Sequence, residues 1–354
     1  VEVSNISQSD AIETNILVIR LSAMGDVGMT VPVLRTFRAT YPDVKLTVLT
    51  RKFFEPMFSN IENLEVYHAD VDNTHKGILG LTRLSSELSK LRISAVADLH
   101  NVLRSNVLKT LLSLRGIKVV QIDKGRAEKK ALTRSERKVF KQLKTTHQRY
   151  ADVFKKLGYP IDLATHQFPE KQSLTTEILS LTQKNSTKKW LGIAPFAQYE
   201  SKTYPLELMV EVIETLDKEN NFEIFLFGGG KKETDILNNI GSKYKNVINV
   251  VGKLSFKEEL RLINNLDAMI SMDSGNAHLA AMYGVPTVTL WGVTHPFTGF
   301  MPFGQPMKYA ILPDLTKYDL IPTSIYGNKV PPNYEKVMHT IQPETVIKTI
   351  NSII

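Results

Sequence analysis

The sequence predicts an α/β protein made of two Rossmann-like, doubly wound halves that face each other across a cleft. Short β-rich runs alternate with amphipathic stretches along most of the chain, the pattern of βαβ units around a parallel sheet. The alternation breaks once, over residues 159–189, which are rich in Thr, Ser, Gln, Pro and Lys, and then resumes. A length of 354 residues suits two or three domains of ordinary size.

Taken in order, residues 1–14 are polar and aperiodic and read as a flexible tail. Strands are expected at 16–21, 46–50, 64–68, 95–99 and 119–122, with helices at 31–40, 78–91 and 102–114. A basic stretch interrupts this rhythm before a helix at 147–157 that stops at Gly158. A short helix is expected at 174–181. Past the break, strands are expected at 190–194, 223–227, 247–251, 268–272 and 287–291, and helices at 205–218, 232–242, 256–264 and 276–283. Beyond Trp291 the chain is rich in Pro, Gly and aromatics, and Pro343 opens a last helix. The expected division is a domain at 15–160, a linker at 161–188, a domain at 189–340 and a C-terminal helix at 341–354. Such sheets bind ligands at the carboxyl ends of their strands, so the site belongs in the cleft.

Composition narrows the function. Apolar residues make up 42% and charged residues 23%, which is ordinary globular usage and excludes wholesale disorder. No run approaches the ~18 apolar residues of a membrane span, and no secretory leader pattern opens the chain. A soluble, cytoplasmic protein is therefore expected. Cysteine is absent, which removes thiol nucleophiles and thiolate metal sites. The net charge of +8 is local: residues 124–149 hold ten Lys or Arg against Glu128 and Glu136, an excess that accounts for all of it. A nucleic-acid binder spreads its cations over a face and adds a reading element, and neither is evident. The patch suits an anionic acceptor or a membrane surface, with Leu132, Val139, Phe140 and Leu143 as a modest apolar stripe. It reads equally as a solvated loop or helix.

Three clusters can carry chemistry. In Arg20-Leu21-Ser22-Ala23-Met24-Gly25-Asp26-Val27 a buried strand runs into a tight loop and a helix, placing Asp26 at the cleft. Such a carboxylate acts as a general base towards a hydroxyl, or merely caps the helix. In Asp273-Ser274-Gly275-Asn276-Ala277-His278 free backbone N–H groups at a helix start suit a diphosphate, with Ser274 and His278 on one face; a capped structural helix is the alternative. Lys202, in the loop before Pro205, reaches a leaving phosphate or is only solvated. Gly228-Gly229-Gly230 precedes a helix bearing Glu233, as a close approach for a ligand or as a plain turn.

Other chemistries lack an anchor. There is no G-x-G-x-x-G or Walker A loop, and no G-x-S-x-G elbow. The eight histidines are dispersed without ligand spacing, and no metal site is expected. Asp70-Val71-Asp72 matches a D-x-D pattern, but so short a match arises easily by chance.

Together the clusters resemble glycosyltransferase family 9, the ADP-heptose:lipopolysaccharide heptosyltransferases. The resemblance rests on residues 16–27 (I-L-V-I-R-L-S-A-M-G-D-V), 202–205 (K-T-Y-P), 273–281 (D-S-G-N-A-H-L-A-A) and Gly292-Val293-Thr294-His295-Pro296, in that order. It implies a GT-B fold, with acceptor on the first domain and sugar nucleotide on the second. It implies inverting transfer of heptose from ADP-heptose to lipopolysaccharide inner core, with neither metal nor cofactor. Asp26 would be the base and Lys202 would stabilise the departing diphosphate. Gly230, Glu233, Asp273, Ser274, Gly275, His278 and Thr294 would bind donor; Ser22, Arg104 and Arg149 would bind acceptor. Residues 124–149 would meet the anionic acceptor and the inner face of the inner membrane. His295 stands where the family often has an acidic residue, and Tyr204 where Trp is commoner. A GT-B transferase with another nucleotide sugar, or a non-catalytic protein that binds sugar nucleotide or lipopolysaccharide, stays open as an alternative.

Overall fold

The computed structural model describes residues 14–182 and 187–354. The tail expected at 1–14 therefore lies outside the described residues except for Thr14, and so do residues 183–186 of the expected linker.

Residues 15–121 form a five-stranded sheet whose paired strands are all parallel. Strand β1 (Asn15–Ile19) is buried at every position, as an apolar run covered on both faces must be. A one-turn helix α1 (Met24–Gly28) and α2 (Thr30–Thr40) lead to β2 (Lys45–Thr50), and a 3-10 segment at Lys52–Phe58 leads to β3 (Leu64–His68). Helix α3 (Gly77–Ser89) precedes β4 (Ala95–Asp98), and α4 (Leu103–Ser113) precedes β5 (Lys118–Gln121). The order β3-β2-β1-β4-β5 reverses direction between β1 and β4, which opens a crevice at their carboxyl ends.

The basic stretch contains a helix, α5 (Arg126–Thr133), followed by an extended segment and α6 (Thr146–Leu157). Thr145 caps α6: its hydroxyl accepts from the Gln148 amide at 3.1 Å, and the Gln148 side chain accepts from the Thr145 amide at 3.0 Å. Gly158, at φ 107°, ends it. Its buried face of Tyr150, Val153, Phe154 and Leu157 packs in the core with α2. Helix α7 (Thr176–Leu181) lies in the connection.

The second sheet is also parallel, ordered β11-β10-β9-β6-β7-β8. Its elements are β6 (Lys189–Ala194), α8 (Leu206–Glu219), β7 (Phe222–Leu226), α9 (Gly230–Gly241), β8 (Val247–Asn249), α10 (Phe256–Asn265), β9 (Ala268–Met272), α11 (Gly275–Ala281), β10 (Thr287–Leu290), β11 (Ala310–Ile311) and α12 (Pro343–Asn351). Its switch point falls between β6 and β9. This is the α/β GT-B architecture. Each expected strand and helix is present, with ends shifted by a few residues. Three of these labelled elements were not among those expected: β11, too short to show a period, α1, a separate turn ahead of α2, and α5, in the basic stretch that read equally as loop or helix.

One apolar cluster runs through both halves, from Val27, Met29 and Phe37 to Leu279, Ala280 and Tyr283. It brings α1 against α11, so the loops after β1 and β9 meet at the cleft floor.

Candidate active site

The approach of α1 to α11 depends on two glycines. A Cβ on Gly25 would lie 2.9 Å from His278 Cδ2 and 3.1 Å from Gly275 Cα. A larger residue at position 25 would push the two loops apart. Above this contact lies a pocket of about 160 Å³ lined by residues that include Asp26, Lys202, Asp273, Ser274, Gly275 and His278. An adjoining pocket of about 470 Å³ shares Ala23, Gly25, Gln198, Ser274 and Gly275 and extends to Gly228, Gly229 and Glu233.

Asp26 is the third residue of α1, and both readings of it apply. Its Oδ2 accepts from the Ala23 amide at 3.4 Å, a capping contact, and pairs with Arg20 Nη2 at 2.5 Å. Oδ1 has no protein partner among the described residues. Arg20 is buried and donates from Nη1 to the Leu99 carbonyl at 2.7 Å, which ties the carboxylate to the end of β4. The Tyr150 hydroxyl donates to the Asp26 carbonyl at 3.3 Å. Nearby, burial first and then Arg20 lower His100 to about 4, so it stands neutral. Burial, reinforced by Arg149, lowers Lys129 to about 8, and its ammonium sits 4.3 Å from the Phe300 ring centre.

Across the pocket, Lys202 donates to the Asp273 carbonyl at 2.7 Å and to its Oδ2 at 3.2 Å. The Thr294 hydroxyl donates to the same Oδ2 at 2.8 Å. Thr294 is fully buried and does not line the pocket, so it orients Asp273. Gly292 explains itself: a Cβ there would fall 1.9 Å from the Ser201 carbonyl, so only glycine admits the Lys202 loop. Ser274 Oγ lies 3.2 Å from Ser271 Oγ. His278 is buried, its Nδ1 has no partner among the described residues, and burial lowers its pKa. Glu233 accepts from the Gly229 amide at 2.8 Å, and Gly230 opens α9 at φ 74° with nothing against it.

Three residues expected to bind acceptor do not line this pocket. Arg149 is buried and spent on Glu128 at 2.7 Å and on the Lys144 and Asp123 carbonyls, both at 3.3 Å. It braces the basic segment and does not line the Asp26 pocket. Arg104 is exposed on the first turn of α4, and half-buried Ser22 lies just outside the pocket lining. The D-x-D carboxylates are also engaged: Asp70 accepts from the Thr74 amide and Asn73, both at 3.0 Å, and Asp72 pairs with Arg51 at 2.9 Å. Nor does the apolar stripe form, because Leu132 and Leu143 are buried while Val139 and Phe140 are exposed.

The model of glycosyltransferase family 9 (heptosyltransferase) matches residues 81–312, more than half of the chain. The chain belongs to glycosyltransferase family 9. It is thus an enzyme of the heptosyltransferase family. The lipopolysaccharide core heptosyltransferase OpsX of Haemophilus influenzae is 25% identical over 293 residues, 80% of each chain. Two solved structures share the fold at 19% identity: the family 9 glycosyl transferase of Veillonella parvula (TM-score 0.74, covering 96% of this chain and 97% of that one) and E. coli ADP-heptose LPS heptosyltransferase II (TM-score 0.66, covering 96% and 98%).

Within this family 9 transferase the unusual motif residues find structural uses. His295 caps the turn at Pro296–Thr298, accepting from the Phe297 amide at 3.1 Å, a task an acidic side chain performs equally well. Tyr204 is buried and donates to the Ile341 carbonyl at 2.8 Å. Arg20 lies in the first motif, yet an arginine before a loop gives no sign of its direction in the sequence. Gln198, Phe300, Ile325 and Tyr326 also line the pocket, from aperiodic segments that carry no local signal.

Proposed function

We propose that this enzyme transfers a heptose from ADP-heptose to an anionic lipopolysaccharide inner-core acceptor, with inversion and without a metal ion. The observation that carries the reading is the single pocket in which Asp26 from one half faces Lys202, Asp273 and Ser274 from the other. The relatives add the chemistry in their names: one is a lipopolysaccharide core heptosyltransferase, and a structural neighbour is an ADP-heptose transferase.

The donor diphosphate lies against Lys202 and the backbone amides that open α11, with Ser274, Gly275 and His278 lining its path and Asp273 fixing the lysine. Gly230 and Glu233 flank the nucleoside end. The acceptor hydroxyl approaches Asp26 from the first half. Asp26 Oδ1 takes its proton as the oxygen attacks the anomeric carbon, and the bond from that carbon to the diphosphate oxygen breaks with its electrons staying on the phosphate. Lys202 stabilises the charge that grows there. Lys124 and Lys129, whose charges reach Asp26, attract the acceptor's acidic groups.

The exposed Arg126, Lys130, Arg134, Arg137 and Lys141, with Val139 and Phe140 among them, provide a cationic face for peripheral contact with an anionic membrane. Among the described residues no helix is long and apolar enough to cross a membrane. We place the protein at the cytoplasmic side of the inner membrane, with domains at 15–160 and 189–340 carrying acceptor and donor.

The test is a donor panel of ADP-, UDP- and GDP-sugars offered with a heptose-free lipopolysaccharide acceptor. Transfer confined to ADP-heptose is expected. Transfer from a UDP- or GDP-sugar alone would overturn the donor assignment.

A further inference from the structure

The pocket beside the proposed catalytic centre contains a carboxyl group with no assigned task. Glu259 lies on the first turn of α10 and lines the 470 Å³ space together with Phe53, Phe227, Phe256, Gly228, Gly229 and Glu233. Phe53 comes from the first half and Phe256 from the second, and their rings stack at 4.5 Å and 18°. This end of the pocket is therefore bordered by aromatic side chains from both halves, an apolar edge that suits a base. Gly228 and Gly229 approach without side chains, and Glu233 is held by the Gly229 amide. Glu259 has no side-chain partner among the described residues.

We propose that Glu259 reads the nucleobase of the donor, pairing with adenine by accepting from its exocyclic amine and donating to the adjacent ring nitrogen. The proposal rests on the ADP-sugar reading above. The half-buried Glu259 carboxyl lines the pocket, and an amine beside a ring nitrogen matches a neutral carboxyl at both oxygens. Burial, with no cation offsetting it, pushes Glu259 up to about 7, so the acid form is available near neutrality.

The surrounding charges are otherwise engaged or turned to solvent. Glu258 pairs with Arg261 at 3.3 Å and Glu55 with His68 at 3.0 Å. Lys52 and Lys257 are exposed. His278, on the packed helix α11, is held towards its neutral form by burial.

Adenine gives this pairing a pH signature, because the ionised carboxylate faces the lone pair of the ring nitrogen. Calorimetric titration of the wild type, Glu259→Gln and Glu259→Leu with ADP, GDP and UDP at pH 6 and pH 8 tests it. The wild type should lose about tenfold in ADP affinity between these values relative to Glu259→Gln, whose amide keeps a donor and an acceptor at both. Glu259→Leu should bind ADP about tenfold more weakly than wild type at pH 6. Equal ADP affinity for all three proteins at both values would overturn the role of Glu259 and leave the ADP donor standing. Binding of GDP or UDP in place of ADP, or of no nucleotide, would overturn both. A thermal melt of each variant confirms that it is folded.

Discussion

Among single residues, the pocket brings together the groups proposed to do the chemistry and the groups that hold them. Asp26 is fixed through one oxygen by Arg20 and by its own helix, and the other has no protein partner among the described residues, as the proposed base requires. Asp26→Asn should keep ADP affinity and lose about 10²–10⁴ in kcat, read by steady-state kinetics beside nucleotide titration. Lys202→Ala should lose about 10²–10³ in kcat through the leaving group. Lys129 gives a pH prediction. Its charge is present below about 8 and is lost above it. Acceptor KM should therefore rise about tenfold from pH 7 to pH 9 in the wild type. Lys129→Met should start with a raised KM at pH 7 and stay flat. Asp26 and Lys202 were legible in the sequence because they sit where strands end in short polar loops. Arg149 misled for a physical reason: a positive charge names no direction, and here Glu128 and two carbonyls take it inward.

At the scale of elements, the contact between α1 and α11 decides whether the two loops form one site. Gly25→Ala sets a Cβ against the Gly275 backbone and the His278 ring, neither of which can retreat without moving its helix. It should cost about 1–3 kcal/mol of stability and much of the activity, checked by urea denaturation and kcat. Gly275→Ala meets first the free end of the Met24 side chain, at 2.7 Å, and should be cheaper. The strands and helices themselves were legible because a short β-rich apolar run and a period of 3.6 are local properties of the chain. Strand β11 has only two residues and is defined by pairing with β10, which no local pattern reports. Phe300, Ile325 and Tyr326 reach the pocket from irregular segments for the same reason.

For the whole molecule, the basic segment is as much a strap as a charged surface. The Leu143 amide donates to the Phe297 carbonyl at 3.0 Å, and the Thr146 amide to the Gly299 carbonyl at 2.8 Å. Lys138 donates to the Pro322 carbonyl at 3.0 Å and to that of Leu320. These bonds join the end of the first half to the loops that close the second. The sequence showed the cations but not this path, since a charged, aperiodic stretch looks the same whether it lies free or spans two domains. Transfer itself is the direct test of the proposed function. ADP-heptose and a heptose-free lipopolysaccharide acceptor are incubated with excess chelator, and the product is followed by mass spectrometry and NMR, with Asp26→Asn alongside. One added heptose with inverted anomeric configuration is expected, with at least a hundredfold less product from the variant. Retained configuration, or an undiminished variant, would contradict it.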